Sequence, residues 1–403
     1  MQCCFFEDDL VSRFYPLTLT RPMDDIRIGI GTLSEKWKSA LGEQPGDTIR
    51  ILRTNLQGVF EQGPVEPDVP CAWINSRFLP TRALVSRVRE LEIGSCLTGS
   101  NQVIAAKTEA ATAETWLSNG RADFSNLLVL ETETDSFTQL QHLWDLFQLN
   151  GQETRADIER FGITDGNNAS ISDKAILSGR EDIHVGDNAM IEPGAILMAD
   201  TGPIYIGPGA TVGAGAILKG PVAICRNSIV KPGARIYDAT TIGPVCKAGG
   251  EIGNTIFHSY SNKGHEGYLG NSLIGQWCNF GADTNTSNLK NNYSTIRLTD
   301  WETMQQVETG QQFIGTIMGD HSKTAINVQL NTGTICGVSC NIFTSDFPPK
   351  LIPSFTWVGT NVMQPYKFDK AVETMEAVMK RRDVAISDDY IRMMKTISAD
   401  SRN

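Results

Sequence analysis

The chain has 403 residues, 40% hydrophobic and 20% charged, with a formal net charge of −11. That is room for two or three domains of a soluble globular protein, with a charge balance that argues against a nucleic-acid or anionic-membrane partner. Nine cysteines without a Cys-x-x-Cys pair fit reduced thiols in a cytoplasm, and no apolar run reaches the roughly 20 residues of a membrane span. The opening Met1-Gln2-Cys3-Cys4-Phe5-Phe6 lacks a basic segment and a long apolar one, so a signal peptide is not expected.

Over residues 1–160, apolar or β-branched runs at 3–6, 47–52, 72–74, 102–105 and 127–131 alternate with helical patterns at 32–40, 82–91, 110–118 and 136–150. Strand and helix in alternation predict an α/β sheet domain, whose ligands sit on the loops leaving the C-terminal ends of strands. The loop after the first strand holds Glu7, Asp8, Asp9, Arg13 and Arg21, with Lys36 further on. It has neither G-x-G-x-x-G nor a P-loop. Arg13, Arg21 and Lys36 are therefore candidates for a nucleotide phosphate, and the carboxylates for Mg²⁺. Taken singly, each of the three cations reads as a surface charge.

Residues 151–162 read as a connector. From Val185 an aliphatic residue then returns at six-residue steps: Ile191 and Leu197, and after a three-residue slip Ile206, Val212, Leu218, Ile224, Val230, Ile236 and Ile242. A small or short residue stands four places after each, from Ala189 and Ala195 through Thr201 and Ala210 to Ala234 and Thr240. This hexad predicts a parallel β-helix over 163–360, with the aliphatic residue in the bore and three hexads per coil of about 18 residues. Two excursions interrupt it, one from Phe257 to Tyr268 and a polar one from Asn285 to Gly310. The hexad returns at Tyr268, Ile274 and Phe280, and again from Met318 to Ile342. Loops on a rigid scaffold commonly carry function. The tail, 367–403, has a helical pattern suited to packing or self-association.

Of five histidines, His265 stands in the first excursion between Gly264 and Gly267, near Tyr268, Asn279 and Asn288. An imidazole among amides and a phenol suits general-base work. Zinc held by histidines is the competing chemistry. No close His pair has a carboxylate at ligand spacing, so no metal ligands are assigned in the solenoid.

The hexads, the block Ser261-Asn262-Lys263-Gly264-His265-Glu266-Gly267-Tyr268-Leu269-Gly270 and the block Asn279-Phe280-Gly281-Ala282-Asp283-Thr284 resemble the bifunctional enzymes that make UDP-N-acetylglucosamine. Those join a sugar-1-phosphate nucleotidyltransferase domain to a left-handed β-helix acetyltransferase. With the Arg-Pro and Glu-Lys-Trp pieces near the N-terminus, the chain looks like a divergent branch with a shortened nucleotidyltransferase-like domain. The resemblance makes His265 the base that takes a proton from the sugar amine, with Asn288 orienting that amine. Tyr268 and Asn279 would hold the sugar phosphate. Lys231 takes the place of a phosphate-binding arginine, and Lys247 is a second basic candidate. The backbone N–H of Ala282 would face the thioester oxygen of acetyl-CoA. The resemblance also implies a homotrimer, with the active site shared between chains and CoA lying between two β-helices.

The sequence departs from that family in places. The family's glycine-rich nucleotide loop is replaced by Glu7-Asp8-Asp9, and the Asp that holds Mg²⁺ has only a positional analogue, Asn75 in Trp73-Ile74-Asn75-Ser76-Arg77. Leu289 stands where the family often has Tyr. The expectation is acetyl-CoA-dependent N-acetylation of an amino-sugar 1-phosphate, with UTP and Mg²⁺ used if the first domain is active. Two other readings stay open: a sugar-1-phosphate nucleotidyltransferase whose β-helix serves assembly, and a non-catalytic scaffold.

Overall fold

The computed structural model describes all residues except 45, 133–136 and 401–403. They divide into two compact units, one of residues 1–13, 21–26 and 31–142, the other of 14–20, 27–30 and 143–403.

The first unit is built on β1 (Gln2–Phe6), β2 (Ile49–Arg50) and β3 (Cys71–Asn75), continued by strands Gln102–Thr108, Ser95–Gly99 and Leu128–Glu131 in one six-stranded sheet. β1 is parallel to both β2 and β3, and Gln102–Thr108 is antiparallel to β3, so the sheet is mixed. All five residues of β1 are buried because both faces are covered. Cys3 and Phe5 share a core with Trp37, Leu84 and Val88, contributed by helices α1 (Leu33–Leu41) and α2 (Arg82–Glu90). Cys4 and Phe6 point the other way, into a core with Trp73 and with Trp116 of α3 (Ala110–Asn119). Thr32 and Glu35 cap α1 reciprocally, each side chain bonding the other's backbone N–H, which stops the helix from starting earlier. Strand Ser95–Gly99 was not evident in the sequence. Its Ser, Thr and Gly lack β pattern, and its place comes from the ladder partners on either side.

The second unit is a parallel solenoid. Three sheet faces rise coil on coil in register, and each keeps an inward column: Leu197, Leu218, Ile236, Ile252 and Leu269 on one, Ile206, Ile224, Ile242, Phe257 and Ile274 on the next, Ile191, Val212, Val230 and Ala248 on the third. Burying one such aliphatic side chain contributes about 1.5–3 kcal/mol, but only neighbouring coils provide the contacts, so stability is shared along the stack. The small positions are buried as the hexad requires, Ala195, Ala210, Ala216, Ser228 and Thr240 among them. Thr201 is exposed, because it falls in the three-residue slip, where its hydroxyl donates to the Gly220 carbonyl at 2.6 Å.

Three sequence expectations are corrected. Residues 151–162 are no connector, for helix α4 runs Leu143–Arg160. Its polar residues mislead because they are buried and paired. Asn150 accepts from Gly29 N at 2.6 Å, and Asp157 from Ile30 N at 2.8 Å. A Cβ on Gly151 would stand 3.0 Å from that of Ala239, so the helix lies directly on the coil. The first excursion is mostly not one either: Ile256–Ser259 and Asn262–Lys263 continue the ladders, Phe257 opposite Ile242 and Lys263 opposite Ala248. Apart from the corner at Tyr260 and Ser261, only Gly264–Gly267 leaves the strands. Finally, the inward residue of the next strand is Leu269, so Tyr268 faces out. Strand alternation decides this, since Leu269 pairs with the inward Ile252.

The polar excursion holds a two-stranded antiparallel ribbon, Arg297–Thr299 with Gln306–Glu308. The tail forms two helices, α5 (Phe368–Lys380) and α6 (Asp388–Asp400), which bury Met375, Met379, Met393 and Met394.

Candidate functional site

Residues of the Gly264–Gly267 loop are anchored on every side, and the imidazole is left outside. Lys263, in the inward column, has 2% of its surface exposed and donates from Nζ to the carbonyls of His265 at 2.8 Å and Gly249 at 3.2 Å. Burial pushes its ammonium down to about 8. Asp283 N donates to the Glu266 carbonyl at 3.0 Å, and Arg235 reaches the Glu266 carboxylate at 3.3 Å. A Cβ on Gly249 would lie 2.8 Å from the Gly264 carbonyl, so only glycine lets the loop backbone sit this low. The His265 side chain is exposed at the corner between two solenoid faces.

On the face after the corner, Asn288 donates from Nδ2 to the Tyr268 hydroxyl at 2.9 Å and to Asn271 Oδ1 at 2.7 Å. Burial pushes the Tyr268 hydroxyl above its ordinary value, although the Asn288 bond opposes this. On the face before it, Lys247, Asn262, Asn279 and Lys323 stand in one outward column, and Lys231, two coils below the loop, donates from its backbone N to the Ala248 carbonyl at 2.7 Å. Ala282 is half-buried, and its N–H has no hydrogen-bond partner among the described residues. Tyr268 and Asn288 therefore meet, while Lys231, Lys247 and Asn279 gather on the other side of the His265 corner.

Two of the other histidines are structural. His258 is buried, with Nδ1 3.0 Å from the Ser259 hydroxyl, and its carbonyl accepts from Arg27 at 3.0 Å. His321 Nε2 lies 2.9 Å from the Tyr390 hydroxyl, and its ring belongs to a corner stack with Trp277 and Tyr260. Each of those three rings stands at positive φ, two residues before Asn262, Asn279 or Lys323, on successive coils. Among the described residues no three His, Cys, Asp or Glu side chains gather as metal ligands.

In the first unit the chain departs from β1 towards β2 on one side and β3 on the other, the switch point where open sheets place ligands. The carboxyl ends of β1 and β3 bring Asp8 to Asn75 and Arg77. Arg77 grips Asp8 with two parallel bonds, 2.8 Å from Nε and 2.5 Å from a terminal nitrogen, and Asn75 donates to the same carboxylate at 2.8 Å. Burial raises the Asp8 carboxyl, but the bonds from Arg77 and Asn75 and the Arg77 charge more than offset it and hold it below its ordinary value. Beside this pair lies a cavity of about 210 Å³ lined by Leu10, Arg13, Arg77, Ser100, Gln102 and Gln139.

Of the three cations proposed for a nucleotide, Arg13 is exposed and lines this cavity; Arg21 and Lys36 do not line it and are buried, Arg21 paired with Asp25 at 3.0 Å. They are not surface charges. Nor do the carboxylates fit Mg²⁺. Glu7 is held by Arg53 at 2.8 Å and by Met23 N at 2.7 Å, and Asp8 by Arg77, so two of the three are already neutralised. Arg77 went unnoticed in the sequence. Its signal was its position two residues after Asn75, at the end of an apolar strand.

Residues 3–164 match the family described as sugar nucleotidyl transferase. The chain is 36% identical over 94 residues to the bifunctional protein GlmU of Methanocaldococcus jannaschii, covering 23% of this chain and 22% of that one. It is 27% identical over 241 residues to the GlmU of Xylella fastidiosa, covering 55% and 48%. The chain thus spans less than half the length of these curated relatives. Among solved structures it is similar to the Francisella novicida UDP-N-acetylglucosamine acyltransferase, at 14% identity and a TM-score of 0.26, over 56% of this chain and 90% of that one.

Proposed function

We propose that the solenoid transfers the acetyl group of acetyl-CoA to the amine of an amino-sugar 1-phosphate. The observation that carries this reading is the anchored His265 loop, which presents an exposed imidazole between the Tyr268–Asn288 pair and the Lys231–Lys247 face. The amine nitrogen attacks the thioester carbonyl carbon while His265 accepts the amine proton. The carbon–sulfur bond then breaks, and the imidazolium returns its proton to the departing CoA sulfur. The Ala282 N–H is the donor for the oxyanion formed in between. Tyr268 and Asn288 hold the sugar, Asn279 lies on its phosphate side, and Lys231 and Lys247 supply the phosphate's countercharge. A homotrimer, with CoA between adjacent solenoids, belongs to the same reading. Thiol release from acetyl-CoA with glucosamine-1-phosphate tests it, wild type beside His265→Ala. Release that requires the sugar and disappears in the variant supports the assignment; wild-type turnover by a folded variant refutes it.

A second activity is favoured by the family match over residues 3–164 and by the cavity at the sheet's switch point. In this reading the first unit transfers a nucleotidyl group from UTP to the sugar phosphate, with Arg13 contacting the phosphates. Arg13→Ala should lower UTP-dependent pyrophosphate release and leave acetylation unchanged. Loss of both activities in that variant would refute separate sites.

A further inference from the structure

The tail adds charge to the solenoid face in a way that its helical pattern did not suggest. Helix α5 ends at Lys380, and the chain then turns, with Arg382 N donating to the Met379 carbonyl at 2.9 Å. The turn brings Arg382 onto the solenoid, where its guanidinium donates to Asn262 Oδ1 at 3.1 Å. Asn262 is the register partner of Lys247, and Lys231 stands one coil below. Arg381, exposed, adjoins Arg382. Burial lowers the Lys247 ammonium below its ordinary value, and the charges of Arg382, Lys231 and Arg381 lower it further, as expected of cations crowded together. Among the described residues none of these four cations forms an ion pair with a carboxylate.

A chain with 46 acidic residues against 35 basic ones has carboxylates to spare. Elsewhere it uses them, with Arg235, Arg297 and Arg392 all paired on the surface. Crowding four unpaired cations costs free energy through mutual repulsion, which a bound anion removes. A helix C-terminus does favour a nearby cation, which accounts for one arginine there. It does not account for Arg382 reaching Asn262 beside two lysines.

We propose that Arg381 and Arg382 join Lys231 and Lys247 in a single site for a phosphate ester, so that the tail supplies half of the cations. This rests on the acyl-transfer reading of the same face and extends it to a part of the chain outside the hexads. The phosphate belongs either to the acceptor sugar or to the 3′-phosphate of the donor, and two probes separate these sources. Calorimetric titration of the full chain with glucosamine-1-phosphate and, separately, with adenosine 3′,5′-bisphosphate should show binding of one of them. Arg381→Gln/Arg382→Gln should weaken it about 10–100-fold by loss of two charge-assisted contacts. Arg381→Lys/Arg382→Lys should recover part of that loss, because charge is kept without the planar fork. Weakening confined to the sugar phosphate assigns the site to the acceptor, and weakening confined to the bisphosphate assigns it to the donor. Unchanged affinity for both in the Gln variant, or no binding of either by the wild type, overturns the proposal. Because binding is read without turnover, an absence of acetyl transfer would sink the acyl-transfer reading alone.

Discussion

The two candidate sites treat their charges in opposite ways. At the switch point of the sheet, Asp8 is gripped by Arg77 and Asn75, and Glu7 by Arg53, so each carboxylate is already satisfied within the unit. On the solenoid, Lys231, Lys247, Arg381 and Arg382 face the same surface with no carboxylate partner among the described residues, beside an exposed imidazole. A satisfied ion pair stabilises the fold, and a ligand must displace it before binding. An unsatisfied cluster costs stability until a ligand arrives. On this physical ground the solenoid is the better-prepared site, although the family match falls on the sheet unit.

The comparison breaks most decisively at His265. His265→Ala should lower acetyl transfer about 10²–10⁴-fold, the usual loss on removing a general base, with thermal stability unchanged, since the side chain is exposed. A drop in melting temperature with activity retained would make this loop structural and remove the contrast.

Arg77→Met sharpens the other side. It leaves Asp8 partly buried without its countercharge, and the unfolding free energy should fall by about 2–3 kcal/mol, below the full penalty for a wholly buried pair because Asp8 is in part solvated. The pH dependence has a definite sign. The Asp8 carboxyl is held below its ordinary value, so its contribution is complete above the ordinary carboxylate range, near pH 4. That contribution is lost as pH falls through the lowered folded value. Denaturant melts of wild type and variant should therefore converge in acid; a constant difference between them would deny the linkage.

A smaller effect separates the buried lysine under the His265 loop from the exposed cations. Burial pushes Lys263 down to about 8, and the unfolded side chain titrates near 10.4. Between those values the unfolded state binds the extra proton, so stability rises with pH from about 8 to about 10.4. Lys323, also pushed down to about 8, adds to the same window. Lys263→Met should raise stability at pH 7 and remove part of that slope, as read from urea midpoints at several pH values. An undiminished slope would mean that Lys263 stays charged in the fold.

The mildest change is Tyr268→Phe, which removes one hydrogen bond to Asn288. A loss of about 1 kcal/mol should appear as a several-fold rise in KM for glucosamine-1-phosphate, with kcat nearly unaltered. An effect on kcat alone would place Tyr268 in the chemical step.

Much of the fold was legible because hexad spacing and strand alternation are local. Ile191, Val212 and Val230 occupy the bore as counted, and so do Leu330, Cys336 and Ile342. Where local pattern and position conflicted, the reading slipped. The six-residue step points Tyr268 inward, but Leu269 pairs with Ile252 and takes the bore. Lys263 breaks the hydrophobic pattern at an inward position, so an unbroken run of coils looked like an excursion. Helix α4 was cut short because Asn150, Glu153, Thr154 and Asp157 read as polar, although all four are buried. The His265, Tyr268 and Asn288 set was found through its resemblance to a known enzyme family, whereas Arg77 and the two tail arginines lacked any motif.

The sequence by itself determined the repeat, the sheet domain before it and the helical tail after it, because periods of six, two and 3.6 residues follow from how side chains leave a regular backbone. Only the tertiary structure decided which charges are neutralised and which stand open. Arg77 lies 69 positions from Asp8, and Arg382 lies 120 from Asn262. No local pattern records pairings over such distances. They arise when the ends of β1 and β3 meet, and when the turn after α5 lies on the coil that carries Asn262, next to the coil of Lys247.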